Sequence, residues 1–528
     1  MKKTILILVV LALLVPASAL AATEFSLGGF IKLSTFWDST QNGYTPTGVI
    51  QRNNDQLFHH GQFNMSAQES RFSFTIKGPK FWGATTTGFI EMDFDGLADN
   101  NFSSVSGAVG NVAVTSPYLP RLRHAMFRLN WPETELMLGQ YWGMFSEYSP
   151  EATGDSQMTN HGFLNQRVAQ IRLTQKFLGD WTVAGAIMKP YDPSAADANW
   201  ETVTAAGVNN IPAPGVAAGP AAAFNQLNGG AEGRSSETPQ LQGKIQYEKD
   251  LYGKAAFYGR PRGFTAQVTG GWQRTRYRAN QFTVANIFTF GQNQFGQAGN
   301  GVAGGLVQNA QQYLDPWCIQ GTLFIPVLPT YSANLAGTAS LTAQYWIGQG
   351  VSFVGGNRDN DNSWFDFSGI GRVNNGAGAQ VNGTFYNRKL MNQFGGYLQG
   401  QYWFTNQWFM NAAFGMIRNY GIDQGTSALL AGQALNPAGY KYASNNDQQK
   451  LNNEFDLTLW YRPIEAIKFG LQYSYSRSIY LQKIDNPQIV GAVPGPGGLP
   501  AQAQGQPAAG AKDVGESHRV QFVAQMFF

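Results

Sequence analysis

Segments of about ten residues that alternate apolar and polar positions recur along the whole chain. In "SRFSFTIKG", the side chains of Phe72, Phe74 and Ile76 alternate with polar ones. Side chains two residues apart share one face of a strand, so each segment predicts a strand with one apolar and one polar face. About sixteen segments have this pattern, from the one that contains Phe25 to the one that ends at Phe528.

The connections between these segments alternate in length. The shorter ones lie near Pro79, Pro132, Gly179, 252–261, 326–337, Thr405 and Pro463. The longer ones span roughly 39–64, 96–120, 143–165, 191–237, 275–314, 349–391, 419–451 and 479–515. Short periplasmic turns that alternate with long outer loops are typical of outer-membrane barrels. We therefore predict an all-β fold: a transmembrane antiparallel β-barrel of about 16 strands with long extracellular loops.

The amino terminus reads as a secretory signal peptide. Lys2 and Lys3 precede an apolar run, and Ala19-Leu20-Ala21 is a small-residue cleavage site. We predict a signal peptide over 1–21 and one barrel domain over 22–528. The low-complexity stretches rich in Gly, Ala and Pro are interpreted as outer loops of that domain.

The composition favours the same class. Charged residues make up 13% of the chain and aromatic residues 13%, with 62 glycines. A soluble protein carries about 25% charge, whereas a closed barrel pairs all its backbone groups in a membrane without a long apolar run. The formal net charge of +3 includes Lys2 and Lys3 and points to no nucleic acid partner. The single cysteine, Cys318, excludes an internal disulfide, and no haem-attachment motif is present.

The last strand carries an apolar ridge that ends on the terminal residue. Val520, Phe522, Ala524, Met526 and Phe528 share one face. One interpretation is a lipid-facing last strand. The other is the signal that barrel-assembly machinery reads, to which an outer-membrane strand ending in Phe is similar; Phe528, Met526 and Phe522 would carry it.

Four motifs in the first third of the chain resemble a known family. They are "GGFIKL" (28–33), "SAQESRFSFTIKGP" (66–79), "LRHAMFRL" (122–129) and "LGQYWGMF" (138–145). In this order they are similar to the DcaP-like trimeric porins of Gram-negative outer membranes. The resemblance implies a homotrimeric diffusion channel for small hydrophilic solutes, with some members favouring small organic anions. The sequence departs from better-known members in having no coiled-coil segment before the first strand.

The resemblance also implies that the loop after the fifth strand, about 143–165, folds inward as a constriction. Its acids are Glu147, Glu151 and Asp155, without Lys or Arg. Charges on the polar strand faces are expected in the lumen, because Arg or Lys facing lipid costs about 2–4 kcal/mol at the midplane. The candidate wall residues are Lys32, Arg71, Lys77, Glu91, Asp93, Asp95, Arg121, Arg123, Arg172 and Lys244. They would either set a transverse field for solutes or pair with one another.

Arg121 and Arg123 interrupt the alternation of their strand. A bulge near Ala125 would switch the faces and bring both into the lumen, where forked donors suit carboxylates. Tryptophans near strand ends are expected in interface girdles. This set is Trp37, Trp82, Trp131, Trp142, Trp181, Trp317, Trp403 and Trp408.

Other functions receive less support from the residues. A barrel enzyme needs a Ser-His-acid set, and no nucleophile motif lies beside His124 or His518. A structural sheath for electron-transfer cytochromes is the alternative to a porin. No metal or other cofactor is expected: His59–His60 has no ligand spacing, and the loop with Asp359 and Asp361 lacks the glycine and glutamate of an EF-hand.

Overall fold

The described part of the chain forms a closed antiparallel β-barrel. In this computed structural model the described residues are 23–40, 60–96, 119–154, 158–159, 161–190, 236, 238–279, 281–283, 310–355, 364–374, 380–422, 449–480 and 514–528. The predicted signal peptide (1–21) lies outside them. No helix among these residues is both long and apolar enough to cross a lipid bilayer.

Twenty-three strands follow one another in the described residues. They are β1 (Glu24–Asp38), β2 (Gln62–Ser66), β3 (Arg71–Phe81), β4 (Ala84–Gly96), β5 (Leu119–Asn130), β6 (Thr134–Trp142), β7 (Arg167–Phe177), β8 (Trp181–Met188), β9 (Gln240–Lys249), β10 (Ala255–Phe257), β11 (Arg260–Arg262), β12 (Phe264–Trp272), β13 (Thr275–Ala279), β14 (Gln281–Thr283), β15 (Ala310–Leu314), β16 (Trp317–Leu328), β17 (Ala339–Gln349), β18 (Trp364–Asn374), β19 (Gln380–Trp403), β20 (Trp408–Ile422), β21 (Gln449–Ile464), β22 (Ile467–Tyr480) and β23 (Val514–Phe527).

Sixteen strand positions close the barrel, as the sequence predicted. β2 and β3 share one position because both pair with β1. β1 also pairs with β23, and this contact closes the ring. β13 and β15 continue the β12–β16 pair, and β14 and β18 pair with the extended end of β19. β10 and β11 pair only with each other among the described strands, as a small hairpin that takes no part in the hydrogen bonding of the ring.

Short and long connections alternate at opposite ends of the barrel. The end that carries the β3–β4, β5–β6, β7–β8, β9–β12, β16–β17, β19–β20 and β21–β22 connections is called the short-turn end, and the other the long-loop end. In the β3–β4 turn, Trp82 and Gly83 have φ of 51° and 78°. Positive φ at both central residues is what a type I′ two-residue hairpin turn requires, and the twist of such a turn matches that of the strands.

The strands expose apolar side chains outward and enclose polar ones. In β16, Ile319 is 51% exposed and Leu323 42%, whereas Gln320 is fully buried and Thr322 nearly so. The two sets alternate along the strand, as the period of two predicts. The barrel thus has an apolar outer surface and an interior rich in amides, hydroxyls and charges.

The last strand has the two faces that the sequence predicted. Val520, Phe522, Met526 and Phe528 are each between 42% and 48% exposed on the outer surface. Arg519 on the inner face is buried and forms an ion pair with Asp38 of β1 at 2.6 Å (Nε to Oδ1). Closure of the ring therefore combines backbone pairing with one buried ion pair.

Candidate functional site

The connection between β6 and β7 lies inside the barrel. It begins with a 3₁₀ turn, Met144–Ser146, whose residues are buried. The backbone N–H of Met144 donates to Gln242 Oε1 of β9 at 2.8 Å. We call residues 143–166 the inner loop. Asp155, one of its predicted acids, lies outside the described residues.

Glu147 holds the first part of the inner loop against the nearby wall. Its carboxylate pairs with Arg172 of β7 at 3.1 Å (Nη1 to Oε1) and with Lys244 of β9 at 2.5 Å (Nζ to Oε2). Arg172 also donates to the backbone oxygen of Trp142. The sequence predicted these charges in the lumen, and the structure places the acid between the two cations.

Glu151 contacts a different part of the wall. Its Oε1 pairs with Nζ of Lys468 in β22 at 2.7 Å, and its Oε2 accepts from Gln401 of β19 at 2.8 Å. Its backbone N–H donates to Gln399 Oε1 at 2.7 Å, and its backbone oxygen accepts from Asn411 at 2.7 Å. Since every one of these partners belongs to β19, β20 or β22, the inner loop spans the lumen from its origin between β6 and β7.

Thr153 continues this attachment toward β1. Its backbone N–H donates to Gln472 Oε1 at 2.9 Å, and its backbone oxygen accepts from Lys32. Lys32 also pairs with Glu69, and both side chains are nearly fully buried. The predicted wall residue Lys32 is therefore a structural contact of the inner loop as well as an inward-facing cation.

The returning half of the inner loop packs tightly on β17, β19 and β20. Trp346 Nε1 donates to the backbone oxygen of Gly162 at 2.7 Å. Gly162 has φ of 120°, and a Cβ there would lie 2.0 Å from the backbone oxygen of Gly396. Only glycine permits this backbone approach. Met158 and Phe163 form a buried cluster with Tyr397 and Ala413.

A buried pair adds a further attachment. His161 Nδ1 lies 2.6 Å from Glu454 Oε2 of β21, and their side chains are 1% and 0% exposed. An unpaired buried charge is costly. The contact between these two buried groups therefore helps to hold the inner loop against β21. The sequence pattern predicts this role for neither residue.

Most of the remaining predicted wall charges form one ion-pair network. Asp93 accepts from Arg121 Nη2 at 2.6 Å and from Arg123 Nη1 at 2.7 Å. Arg123 also binds Glu91 at 2.6 Å, and Arg121 binds Asp95 at 3.0 Å. The forked donors of both arginines are thus engaged by carboxylates of the chain itself.

A β-bulge explains how these arginines face inward. Glu91 lies opposite His124 and Met92 opposite Leu122, so the register shifts by one residue and Arg123 is the extra residue of the bulge. Arg123 and His124, although consecutive, are both buried at 1% and 3% exposure. The predicted face switch is present, and it is centred on Arg123.

Arg71 and Lys77 have different surroundings on the same face of β3. Arg71 lies 3.9 Å from Glu91 and stacks over the Phe30 ring at 5.1 Å. Lys77 is 68% exposed at the short-turn end, where it pairs with Glu24 at 3.3 Å. Lys77 is therefore at the rim, far along the strand from the inner loop.

A cavity of about 490 Å³ remains beside the inner loop. Its charged lining consists of Lys32, Arg71, Glu147, Glu151 and Lys468. Aromatic rings complete the wall, including Tyr141, Trp142, Tyr258 and Trp460. Lys468 lies 3.7 Å from the centroid of the Trp460 ring, a cation–π contact that orients the ammonium.

The girdle prediction was wrong for two tryptophans. Trp142 lines the cavity, and Trp403 is 5% exposed inside the barrel, stacked on Phe409 at 4.3 Å. Trp82 and Trp408, by contrast, are exposed at the short-turn end. The strand ends alone do not separate inward from outward rings, because the β10–β11 hairpin packs on Trp403 and the inner loop lies beside Trp142.

Side chains that could bind a metal or act in catalysis are dispersed among the described residues. No cluster of three or more His, Cys, Asp or Glu residues there is arranged to hold a metal ion. His59, Asp359 and Asp361 lie outside them. His124 packs against Tyr141 at 4.6 Å between ring centroids, and His518 lies on the outer surface bonded to Tyr473 at 2.8 Å.

Three features of the site were not predicted from the sequence. Lys468, the partner of Glu151, was not among the candidate residues. The inward glutamines of β9, β19 and β22 hold the inner loop, and the β10–β11 hairpin contacts it. A signal existed for Lys468, since it occupies a polar-face position of its strand. The partnership itself joins residues 317 positions apart.

The fold resembles that of known outer-membrane channels. No protein-family model and no curated protein matches the chain. The outer membrane channel DcaP of Acinetobacter baumannii is similar at 14% identity and a TM-score of 0.51, over 96% of this chain and 98% of that one. An anion-selective porin from Comamonas acidovorans matches at 9% identity and a TM-score of 0.43, over 96% and 100%. The match to DcaP shows a shared fold, so the predicted resemblance to DcaP-like channels is confirmed at the level of fold.

Proposed function

We propose that the chain is an outer-membrane porin that lets small hydrophilic solutes diffuse passively. The supporting observation is a closed barrel with an apolar outer surface whose polar interior is narrowed by residues 143–166. A closed barrel satisfies its backbone within lipid, and charged side chains at a narrowing select solutes. The inner loop is the constriction in this proposal.

The lining favours a modest preference for small organic anions. Lys32, Arg71 and Lys468 contribute three positive charges, against the two carboxylates of Glu147 and Glu151. Each carboxylate is already bound by a wall cation, and Glu147 is bound by two, Arg172 and Lys244. A solute carboxylate therefore meets a cationic environment beside the inner loop.

In the same proposal, the chain is exported, inserted into the outer membrane and assembled as an oligomer. Removal of residues 1–21 on export would leave the barrel domain, and the terminal residues Phe528, Met526 and Phe522 would be read by the barrel-assembly machinery. The apolar outer surface would contact outer-membrane lipid. By its resemblance to the DcaP-like channels, the working assembly is a homotrimer.

Single-channel recording tests the proposal. Purified protein lacking residues 1–21 is added to a planar lipid bilayer under a KCl gradient. We expect discrete conductance steps, grouped in threes for a trimer, and a reversal potential that indicates weak anion preference. A folded protein that gives no conductance would overturn the porin function. The sheath alternative needs a wide lumen for cytochromes, and the inner loop across the lumen argues against it; copurifying haem would support it.

A further inference from the structure

The connection between β9 and β12 folds back into the barrel mouth. Its start is fixed by a backbone bridge between Lys254 and Thr330, with N–O distances of 2.8 and 2.7 Å. Thr330 belongs to the β16–β17 connection, so two short-turn connections hold each other. The β10–β11 hairpin then follows, with Ala255 and Ala256 at 0% and 1% exposure. The β9–β12 connection therefore differs from the other hairpin turns, because it carries a hairpin with residues buried inside the barrel.

The hairpin lies along the inner wall across several strands. The backbone oxygen of Ala256 accepts from Ser340 Oγ of β17 at 3.0 Å. Phe257 meets Phe324 of β16 edge-on at 5.4 Å between ring centroids. At the tip, a Cβ on Gly259 would lie 3.5 Å from the Trp403 ring of β19. The hairpin therefore lies inside the short-turn end of the lumen, against β16, β17 and β19.

The same hairpin contacts the inner loop. The Tyr258 hydroxyl lies 2.5 Å from Ser149 Oγ and 2.5 Å from the Ser149 backbone oxygen. Arg262 donates to the Tyr148 hydroxyl at 2.7 Å and to Glu248 at 2.8 Å. Its guanidinium also lies 4.6 Å from the centroid of the Tyr148 ring. The inner loop is thus held between the far wall and the hairpin.

The backbone at Tyr258 is unfavourable for its residue type. Tyr258 and Gly259 have φ of 50° and 71°, in a two-residue turn between paired Phe257 and Arg260. Asn or Asp is preferred at the first of these positions, since a bulky side chain is strained at positive φ. Trp82 and Leu178 occupy comparable positions in other turns and are 80% and 84% exposed, whereas Tyr258 is 40% exposed and faces the cavity.

We propose that the β10–β11 hairpin is a second constriction element, and that Tyr258 is the positioning residue that joins it to the inner loop. This inference rests on the porin function proposed above. In it, the inner loop and the β10–β11 hairpin together set the width of the pore. The hairpin narrows the lumen from the short-turn end. Tyr258 fixes the edge of the inner loop at Ser149, so that the cavity keeps a constant width.

The first experiment compares Tyr258→Phe with Tyr331→Phe, a matched loss of one hydroxyl at a residue that is 81% exposed in another short-turn connection. Loss of one hydrogen bond is expected to raise the detached fraction of the inner loop roughly fivefold. In single-channel recordings this appears as open-channel flicker in Tyr258→Phe alone. Wild-type conductance with no added flicker in Tyr258→Phe would overturn the role of Tyr258.

A second readout does not depend on conductance. Ala152→Cys places a thiol on the cavity lining, while the native Cys318 is fully buried. Labelling by a charged maleimide is expected to be roughly fivefold faster when Tyr258→Phe is added. Equal labelling rates would contradict the hairpin contact even if the protein does not conduct, which separates failure of this inference from failure of the porin function.

The third experiment removes the hairpin. Lys249 pairs with Phe264 across the β9–β12 register. Asn-Gly in place of residues 250–263 therefore closes the two strands by a two-residue turn of the favoured type. We expect a larger unitary conductance than that of the wild type. An unchanged conductance from a folded barrel would show that the hairpin does not narrow the pore. Leu178→Asn is the control for altered turn chemistry, because the backbone oxygen of Leu178 accepts from Asp180 within its own turn and the side chain is 84% exposed.

Discussion

At the scale of single residues, the charges of the lumen are defined by their partners. Glu147 lies between Arg172 and Lys244, and Glu151 binds Lys468. The acidic lip that the loop composition indicates is thus largely neutralised by the wall. The electrostatic field that acts on a solute in the lumen therefore depends on these ion pairs and on where each of their charges lies.

Replacing Glu151 by Gln is expected to shift the reversal potential toward stronger anion preference. The change leaves Lys468 without its carboxylate partner at the cavity surface. One unit charge at ~4 Å in water is worth about 1 kcal/mol, or roughly fivefold in the anion-to-cation permeability ratio. Glu24→Gln is the control, since Glu24 is 75% exposed at the rim. An equal shift in both variants would contradict a local effect.

At the scale of strands, the alternation of side chains separates the outer surface from the lumen. In β7, Ile171 and Leu173 are 52% and 54% exposed, and the neighbouring Arg172 is 6% exposed. At the bulge in β5, two consecutive residues, Arg123 and His124, turn inward. Such a bulge adds one residue to one strand, which moves the following side chains to the other face.

A charged side chain on the outer face of β7 is expected to lower the free energy of unfolding by an amount that depends on its depth in the membrane. Ile171→Arg places a guanidinium toward lipid near the middle of the strand and is expected to lower the free energy of unfolding by about 2–4 kcal/mol. Leu178→Arg, in the turn that follows the same strand, is expected to cost about 0–1 kcal/mol. Urea unfolding in lipid vesicles measures both. Equal costs would argue that this face is not in contact with lipid.

At the scale of the whole molecule, the barrel depends on contact between its first and last strands. Phe528 and Gly29 exchange two backbone hydrogen bonds of 3.2 Å each. The Phe528 ring lies 5.9 Å from that of Phe72 on the neighbouring strand β3. Phe527, one residue earlier, turns inward to Phe30 at 5.6 Å between ring centroids. The chain end therefore offers two adjacent aromatic residues on opposite faces.

This arrangement allows a test of the proposed assembly signal. We expect Phe528→Ser to reduce severalfold the amount of folded barrel in the outer membrane, with unfolded chain accumulating in the periplasm. Phe527→Ser is the control, because it removes an equal ring from the inner face. Heat-modifiable gel mobility of membrane fractions measures the folded barrel. If both variants assemble equally well or equally poorly, the terminal ridge is only a lipid-facing surface.

The sequence by itself determined the number of barrel strands, their outward faces and the alternation of short and long connections. Each of these depends on neighbours in the chain: side chains two residues apart share a face, and turn residues interrupt the pattern. For the same reason it identified Lys32, Arg71 and Arg172 as inward charges. Local periodicity suffices for these features because the strand is a local structure.

Only the tertiary structure decided what these inward residues contact. Thr153 binds Gln472 across 319 positions, and Tyr258 binds Ser149 across 109. No local pattern encodes such pairs, because curvature of the closed sheet sets which wall faces which loop. The burial of Trp403 and the insertion of the β10–β11 hairpin have the same origin. The strands followed from the chain's own periodicity, whereas the narrowing of the lumen followed from closure of the ring around segments that are distant in sequence.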